Sequence, residues 1–216
     1  MITILFFFLG TCLGSFLGLV FYRYPEKSII LPKSYCDTCS HPLRYRDLIP
    51  IFSYLLNRAK CPFCHTKVRI LYLFIEVFCG VSFLLAHYQL GLSWVETFVL
   101  YISLLLSLYD CQSYSYPFLL WILFTLSLLV LFPFTLLSFI FLLLAFLARL
   151  KSGFIGSGDF LYLASLALVF DLEKILWIVQ IASSLGIFYC LIFRKKRLPL
   201  IPFLTFAVLI ISFITN

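Results

Sequence analysis

Two aspartates, Asp110 and Asp159, stand where almost every neighbour is lipid-soluble. Asp110 follows the run Tyr101 to Tyr109, and Asp159 closes Gly156-Ser157-Gly158 just before Phe160-Leu161-Tyr162-Leu163. An ionisable side chain at membrane depth is costly, which marks both as functional candidates. Two carboxylates held close together cannot both ionise easily, so one keeps its proton near neutral pH. The charged member can then take a proton from water while the neutral one polarises a peptide carbonyl, the chemistry of aspartic proteases. Gly156 and Gly158 free the backbone beside Asp159 for unusual dihedrals and close approach of a substrate chain. Against this stands a plainer reading. Asp159 could cap a glycine-rich helix start, Asp110 could be an interfacial residue near a helix end, and a four-residue GxGD pattern recurs by chance.

A second constellation is Cys36-Asp37-Thr38-Cys39 with Cys61-Pro62-Phe63-Cys64. Two such pairs match the spacing of a tetrahedral zinc site, with Cys36, Cys39, Cys61 and Cys64 as ligands. A short, loop-rich segment has too little core to fold unaided, and a metal would supply the missing stability. Four thiolates leave no open position, which assigns the metal a structural role. His41 and His65 adjoin the pairs without being needed as ligands. A redox pair, disulfides or an unmetallated variant are the alternatives, and a cytosolic location disfavours disulfides. The remaining cysteines (Cys12, Cys79, Cys111, Cys190) lie in or beside apolar segments and read as small hydrophobes.

The elements that must position these groups follow from composition. The chain has 216 residues, 63% hydrophobic and 12% charged, against roughly a quarter charged in soluble domains. An all-α polytopic membrane protein is expected, with about eight spans at 2–22, 70–89, 94–110, 117–132, 134–149, 159–171, 174–193 and 199–214. The shortest, 159–171, is expected to begin earlier, with the glycine-rich stretch 153–158 dipping into the membrane or lining a wet cavity. Met1 to Tyr22 lacks a basic leader region and a small-residue cleavage site, so it reads as a retained helix.

If 23–69 is cytoplasmic, alternation of eight spans puts 111–116, 150–158 and 194–198 on the same side. Those segments, with Arg149 at a boundary, hold every one of the 16 Lys and Arg residues except Lys174. That asymmetry satisfies the positive-inside rule. It places both termini outside and both aspartates at cytoplasmic helix ends, which favours a shared role. The expected organisation is a first helix (1–22), a small cysteine-rich cytosolic domain (23–69), and a membrane core (70–216) in contact with the lipid bilayer. The net charge of +7 records topology rather than nucleic-acid binding, since no basic stripe with stacking aromatics stands apart from the spans.

Ordered motifs along nearly the whole chain resemble the prepilin peptidases, or type IV leader peptidases, of the GxGD aspartyl protease class. They are Gly14-Ser15-Phe16-Leu17-Gly18 running to Arg23-Tyr24-Pro25, Lys33 to Cys36 with Cys39, Asp47-Leu48-Ile49-Pro50 to Leu55, Cys61 with Cys64, Arg69 and Glu76, Asp110 with Pro117, Gly156 to Asp159, and Pro199 to Phe203. Two positions depart from the family pattern: Asp110-Cys111-Gln112 replaces DLD, and Leu161 replaces the lysine of GDxK. Both carboxylates remain. The resemblance implies a bacterial inner or cytoplasmic membrane enzyme with Asp110 and Asp159 as catalytic residues. Its substrates would be type IV prepilins or pseudopilins, cleaved after a short basic leader at the cytoplasmic face in pilus, secretion or competence pathways. It also implies, for members with the cysteine-bearing loop, methylation of the new N-terminus with S-adenosylmethionine. Glu76, a third membrane acid, would support methyl transfer or substrate binding, or pair with Arg69 two helical turns away. Two other classes compete. An ion-coupled transporter would use Asp110, Asp159 and Glu76 as a relay, and a non-catalytic zinc-bearing scaffold would need the cysteines but not the aspartates.

Overall fold

The computed structural model describes residues 1–31, 34–36, 38–150, 156–194 and 198–215. Among these residues the chain is helical, with only isolated bridges at Tyr35–Pro42 and Lys60–Lys67. The helices are α1 (Ile2–Arg23), α2 (Phe52–Leu56), α3 (Ile70–His87), α4 (Trp94–Ser113), α5 (Phe118–Leu131), α6 (Leu136–Leu150), α7 (Ser157–Leu166), α8 (Leu172–Phe193) and α9 (Ile201–Thr215). Apart from the short α2, they answer one for one to the expected spans. Four of them, α1, α3, α4 and α8, are long and apolar enough to cross a membrane, while α5, α6 and α9 are shorter apolar helices. Large hydrophobic side chains such as Val130, Leu191 and Phe146 face outward. Water would not tolerate so much exposed apolar surface, but lipid does. The chain is a multi-pass membrane protein.

Two boundaries differ from expectation by three residues or more, for local reasons. Helix α4 continues through Cys111, Gln112 and Ser113 before Tyr114 takes a positive φ of 54° and ends it. Helix α7 stops at Leu166 because residues 167–170 tighten into turns, with Val169 N–H donating to the Leu166 carbonyl. Of the glycine-rich stretch 153–158, residues 153–155 lie outside the described residues.

The chain divides into two compact units, Met1–Thr97 and Phe98–Asn216. In the first, α1 packs on α3. The contact runs along Gly10, Gly14 and Gly18, one turn apart on a single face of α1. A β-carbon at Gly10 would meet the Cys79 carbonyl at 2.6 Å, and one at Gly14 the Ile75 carbonyl at 2.8 Å. Gly80 answers from α3, where a β-carbon would meet Phe7 and Thr11 at 2.7 Å. Small residues at this spacing let helix backbones approach within a membrane, where apolar burial supplies no drive between helices. Gly14→Leu is therefore expected to destabilise the detergent-solubilised protein by about 1–3 kcal/mol, the usual cost of overpacking. Thermal unfolding checks this, and an unchanged midpoint would mean the two backbones do not meet at Gly14.

The second unit is built around α7. Ten residues span about 15 Å, half the roughly 30 Å hydrocarbon thickness. A helix so short at membrane depth must have its terminal backbone groups satisfied from elsewhere. Neighbouring side chains add hydrogen bonds to its carbonyls in a regular row. Tyr116 Oη donates to the Gly158 carbonyl (2.6 Å), Trp121 Nε1 to Leu161 (2.8 Å), Ser138 Oγ to Ala164 (2.8 Å), and Thr135 Oγ1 to Ala167 (2.9 Å). The acceptors fall every third residue, so one edge of α7 is clamped from end to end. Its Tyr162, Leu163, Ala164, Ser165 and Leu166 are buried.

Candidate active site

Asp159 occupies the first turn of α7 and Asp110 the last turn of α4. Asp110 is 6% exposed. Its Oδ2 accepts the Ile201 N–H at 3.1 Å, and the Leu200 amide donates to the same carboxylate. These amides are the unpaired donors at the start of α9. Asp110 thus fastens the end of α4 to the start of α9, which explains the Pro199-Leu200-Ile201-Pro202 sequence. Pro202 sits in the first turn, where a missing N–H costs nothing.

Below Asp110, on the same face of α4, lie Ser107 and Ser103. Ser107 Oγ meets Thr205 Oγ1 of α9 at 2.7 Å, and Tyr162 Oη of α7 donates to Ser103 Oγ at 2.6 Å. All four side chains are buried. This satisfied polar network ties α4, α7 and α9 together directly beneath the acids, and such networks specify one packing.

Asp110 lies within electrostatic reach of Asp159. Tyr116, in the connection between α4 and α5, stands beside both. Burial, then Asp159 and Asp110, pushes its phenol up, so it stays a proton donor. The structure brings together Asp110, Asp159, Gly156 and Gly158, with Tyr116, Leu200 and Ile201, which the residue types alone did not single out. Tyr116 could have been noticed as the residue before Pro117 in the loop between two spans. Nothing in the sequence signalled the amide donors.

Neither glycine has the unusual dihedrals expected of it. Gly156 has an ordinary extended backbone (φ −66°, ψ 124°) and Gly158 is helical. Space is what both positions require. A β-carbon at Gly156 would lie 3.2 Å from Asp159 Oδ2, and one at Gly158 would lie 3.2 Å from the Tyr116 ring.

Glu76 belongs to the first unit. Its Oε2 accepts the Ile51 N–H at 2.7 Å, and Ser15 also donates to it. Ile51 has φ 61° and ψ −53°, with Phe52 N–H bonded to the Pro50 carbonyl at 2.6 Å. This is a γ-turn of the strained hand, unusual for a β-branched residue. Strain of this kind persists only where surroundings enforce it, and Glu76 is one enforcing group. Arg69 places its guanidinium over the Tyr22 ring, 4.8 Å from the centroid. Glu76 also lines a cavity of about 310 Å³ together with Ser15, Tyr22, Arg23, Asp47 and Tyr72.

The cysteine segment forms two knuckles with the same hydrogen bonds. Cys36 N–H donates to His41 and Ser40 N–H to Cys36; Cys61 N–H donates to Thr66 and His65 N–H to Cys61. Ser40 and His65 both take positive φ, 55° and 57°. The four sulfurs lie within 4.8 Å of one another, with Cys36 and Cys64 at 3.7 Å. Tetrahedral zinc–thiolate bonds of about 2.3 Å require sulfurs about 3.8 Å apart. The cysteines are free thiols, so the cluster could hold a metal ion. The Cys39 backbone amide lowers the Cys36 thiol to about 6, and the Thr66 hydroxyl lowers Cys64, favouring thiolates. His41 packs against Phe63 with ring centroids 3.7 Å apart and planes tilted by 39°, which joins the knuckles.

Residues 8–90 match the family model described as the bacterial peptidase A24 N-terminal domain. The prepilin leader peptidase/N-methyltransferase of Neisseria gonorrhoeae is 37% identical over 112 residues, covering 40% of this chain and 39% of that protein. Its namesake from Myxococcus xanthus is 40% identical over 78 residues, covering 36% and 23%. That of Bacillus subtilis is 38% identical over 109 residues, covering 49% and 43%. The chain therefore aligns with less than half the length of these curated relatives. No solved structure gives a significant match.

Proposed function

We propose that this relative of the prepilin leader peptidases is a membrane-embedded aspartic endopeptidase that removes the leader from type IV prepilin-like proteins at the cytoplasmic membrane face. The observation that carries the reading is the placement of Asp110 and Asp159 at two helix ends of one unit, within electrostatic reach of each other and of the Tyr116 phenol. Acting as one proton-sharing pair, the carboxylates take a proton from water and give one to the departing amine. Water adds to the scissile carbonyl, the C–N bond breaks, and the pair returns to its starting protonation. Residues 23–69 would form the cytosolic domain, which puts both aspartates on the side where a basic leader ends.

The cysteine cluster supports structural zinc held by Cys36, Cys39, Cys61 and Cys64, since the sulfur spacing and twin knuckles suit that ion. Methyl transfer is a second reading, favoured by the cavity containing Glu76. S-adenosylmethionine would supply the methyl group there. Tyr22 and Tyr72 offer rings and Glu76 and Asp47 carboxylates suited to a sulfonium, while Arg23 suits a carboxylate. Ion-coupled transport is not favoured, because Glu76 is engaged in holding the Ile51 turn and the curated relatives are named as peptidases.

Mass spectrometry of a co-expressed prepilin tests both activities. The expected product lacks its leader, and a further mass of one methyl group on the new N-terminus would establish the second. Full-length prepilin in the presence of the folded protein would refute the peptidase reading.

A further inference from the structure

Tyr116 ends a short, hydrogen-bonded connection that begins at Asp110. Tyr114 N–H donates to the Asp110 carbonyl at 2.9 Å, and Ser113 Oγ donates to the Tyr109 and Ser115 carbonyls at 3.1 and 2.9 Å. The connection therefore has a defined shape from the first aspartate to the phenol. At its far end the Tyr116 hydroxyl donates to the Gly158 carbonyl at 2.6 Å. That carbonyl belongs to the peptide group that also contains the Asp159 nitrogen, so anchoring it fixes the backbone from which the Asp159 side chain departs. The Tyr116 ring lies against Gly158 so closely that a β-carbon there would sit 3.2 Å from Cε1 and 3.4 Å from the hydroxyl. A hydrogen bond and a steric stop thus act on the same peptide.

We propose that residues 110–116 form a strut whose terminal phenol sets the position of Asp159 relative to Asp110, making Tyr116 a positioning residue for the dyad. The inference rests on the peptidase reading given above. It also accounts for glycine at 158: that position must be bare to receive the ring. The other donors along α7, from Trp121, Ser138 and Thr135, hold the helix at deeper levels. Of these four side-chain donors, Tyr116 is the one that reaches the peptide next to the acid.

The test measures steady-state cleavage of a prepilin peptide by the full chain in detergent, with thermal unfolding measured in parallel. Tyr116→Phe keeps the ring and removes the donor. It should lower kcat by about 10- to 100-fold, the scale of an ångström-sized misplacement, with KM nearly unchanged. Gly158→Ala should lose activity similarly. The double variant should lose far less than the product of the two single losses, because both changes act on one contact. Trp121→Phe removes the next donor along α7 and separates positioning from mere support. A kcat loss for Trp121→Phe equal to that of Tyr116→Phe would overturn the proposal, as would wild-type kcat in Tyr116→Phe or independent losses in the double variant. Asp159→Asn is assayed alongside. Cleavage by that variant would overturn the dyad itself, so the two failures are distinguishable.

Discussion

Asp110→Asn and Asp159→Asn should each reduce prepilin cleavage by on the order of 10⁴-fold, the upper range for loss of a general acid or base. The substitution is nearly isosteric, which matters most at Asp110. There the side chain also receives the Ile201 and Leu200 amides. Asparagine keeps a carbonyl oxygen for those donors while removing the charge and the titrating proton. Asp110→Asn should therefore stay folded yet inactive. Asp110→Ala should lose the cap of α9 as well, at a further cost of about 1–3 kcal/mol for buried amides left without a partner. Members of a catalytic unit are grossly non-additive, so the double Asn variant should be no worse than either single one. Measured turnover of the purified variants checks the effect. Full activity in either would reduce the carboxylates to caps.

Removing the metal should have the second-largest effect, and it should fall on structure. Segment 34–68 contains one four-residue 3₁₀ turn and the short α2, with Cys61 its one buried hydrophobic residue among those described. Such a segment cannot fold on apolar burial alone, whereas thiolate ligation contributes apparent binding free energies of about 10–16 kcal/mol in zinc-finger peptides. Elemental analysis should find one zinc per chain, and none in Cys61→Ser. Chelation or Cys61→Ser should open the segment to proteolysis between residues 34 and 68, while α5 to α9 remain protected. Unchanged protease resistance without metal, or thiols lost to disulfides, would contradict the assignment.

Much of this architecture was legible because membrane helices announce themselves. Apolar runs of span length are read directly, and the lopsided distribution of Lys and Arg motivates the proposed topology. The ends were harder. Nothing in the apolar pattern distinguishes Cys111-Gln112-Ser113 as a further turn of α4, or shows that α7 stops at Leu166, because both depend on partners far away in sequence. The GxxxG spacing of Gly10, Gly14 and Gly18 was available as a packing signal, though only backbone proximity to α3 gives it meaning. The cysteine cluster followed from spacing, yet the matched knuckles with Ser40 and His65 at positive φ did not.

At the candidate site, residue type identified the acids and could not identify what holds them. Asp110's partners are backbone amides, which have no sequence signature. Tyr116 is an ordinary aromatic among 13 tyrosines until its hydroxyl is seen on the Gly158 carbonyl. The unusual dihedrals expected of the glycines are absent at Gly156 and Gly158, and the Asp159 carboxylate and the Tyr116 ring lie close beside them. Glu76 was read as a candidate partner of Arg69, and its bond to the strained Ile51 turn emerges only from the fold.

The central claim is that Asp110 and Asp159 together hydrolyse one peptide bond of a prepilin. The most direct measurement is the intact mass of one purified prepilin after incubation in detergent with the wild-type protein, with Asp110→Asn or with Asp159→Asn. The expected result is a single product without leader for the wild type and unchanged precursor for both variants. Precursor left whole by folded wild-type protein, or the same trimmed product from either variant, would contradict it.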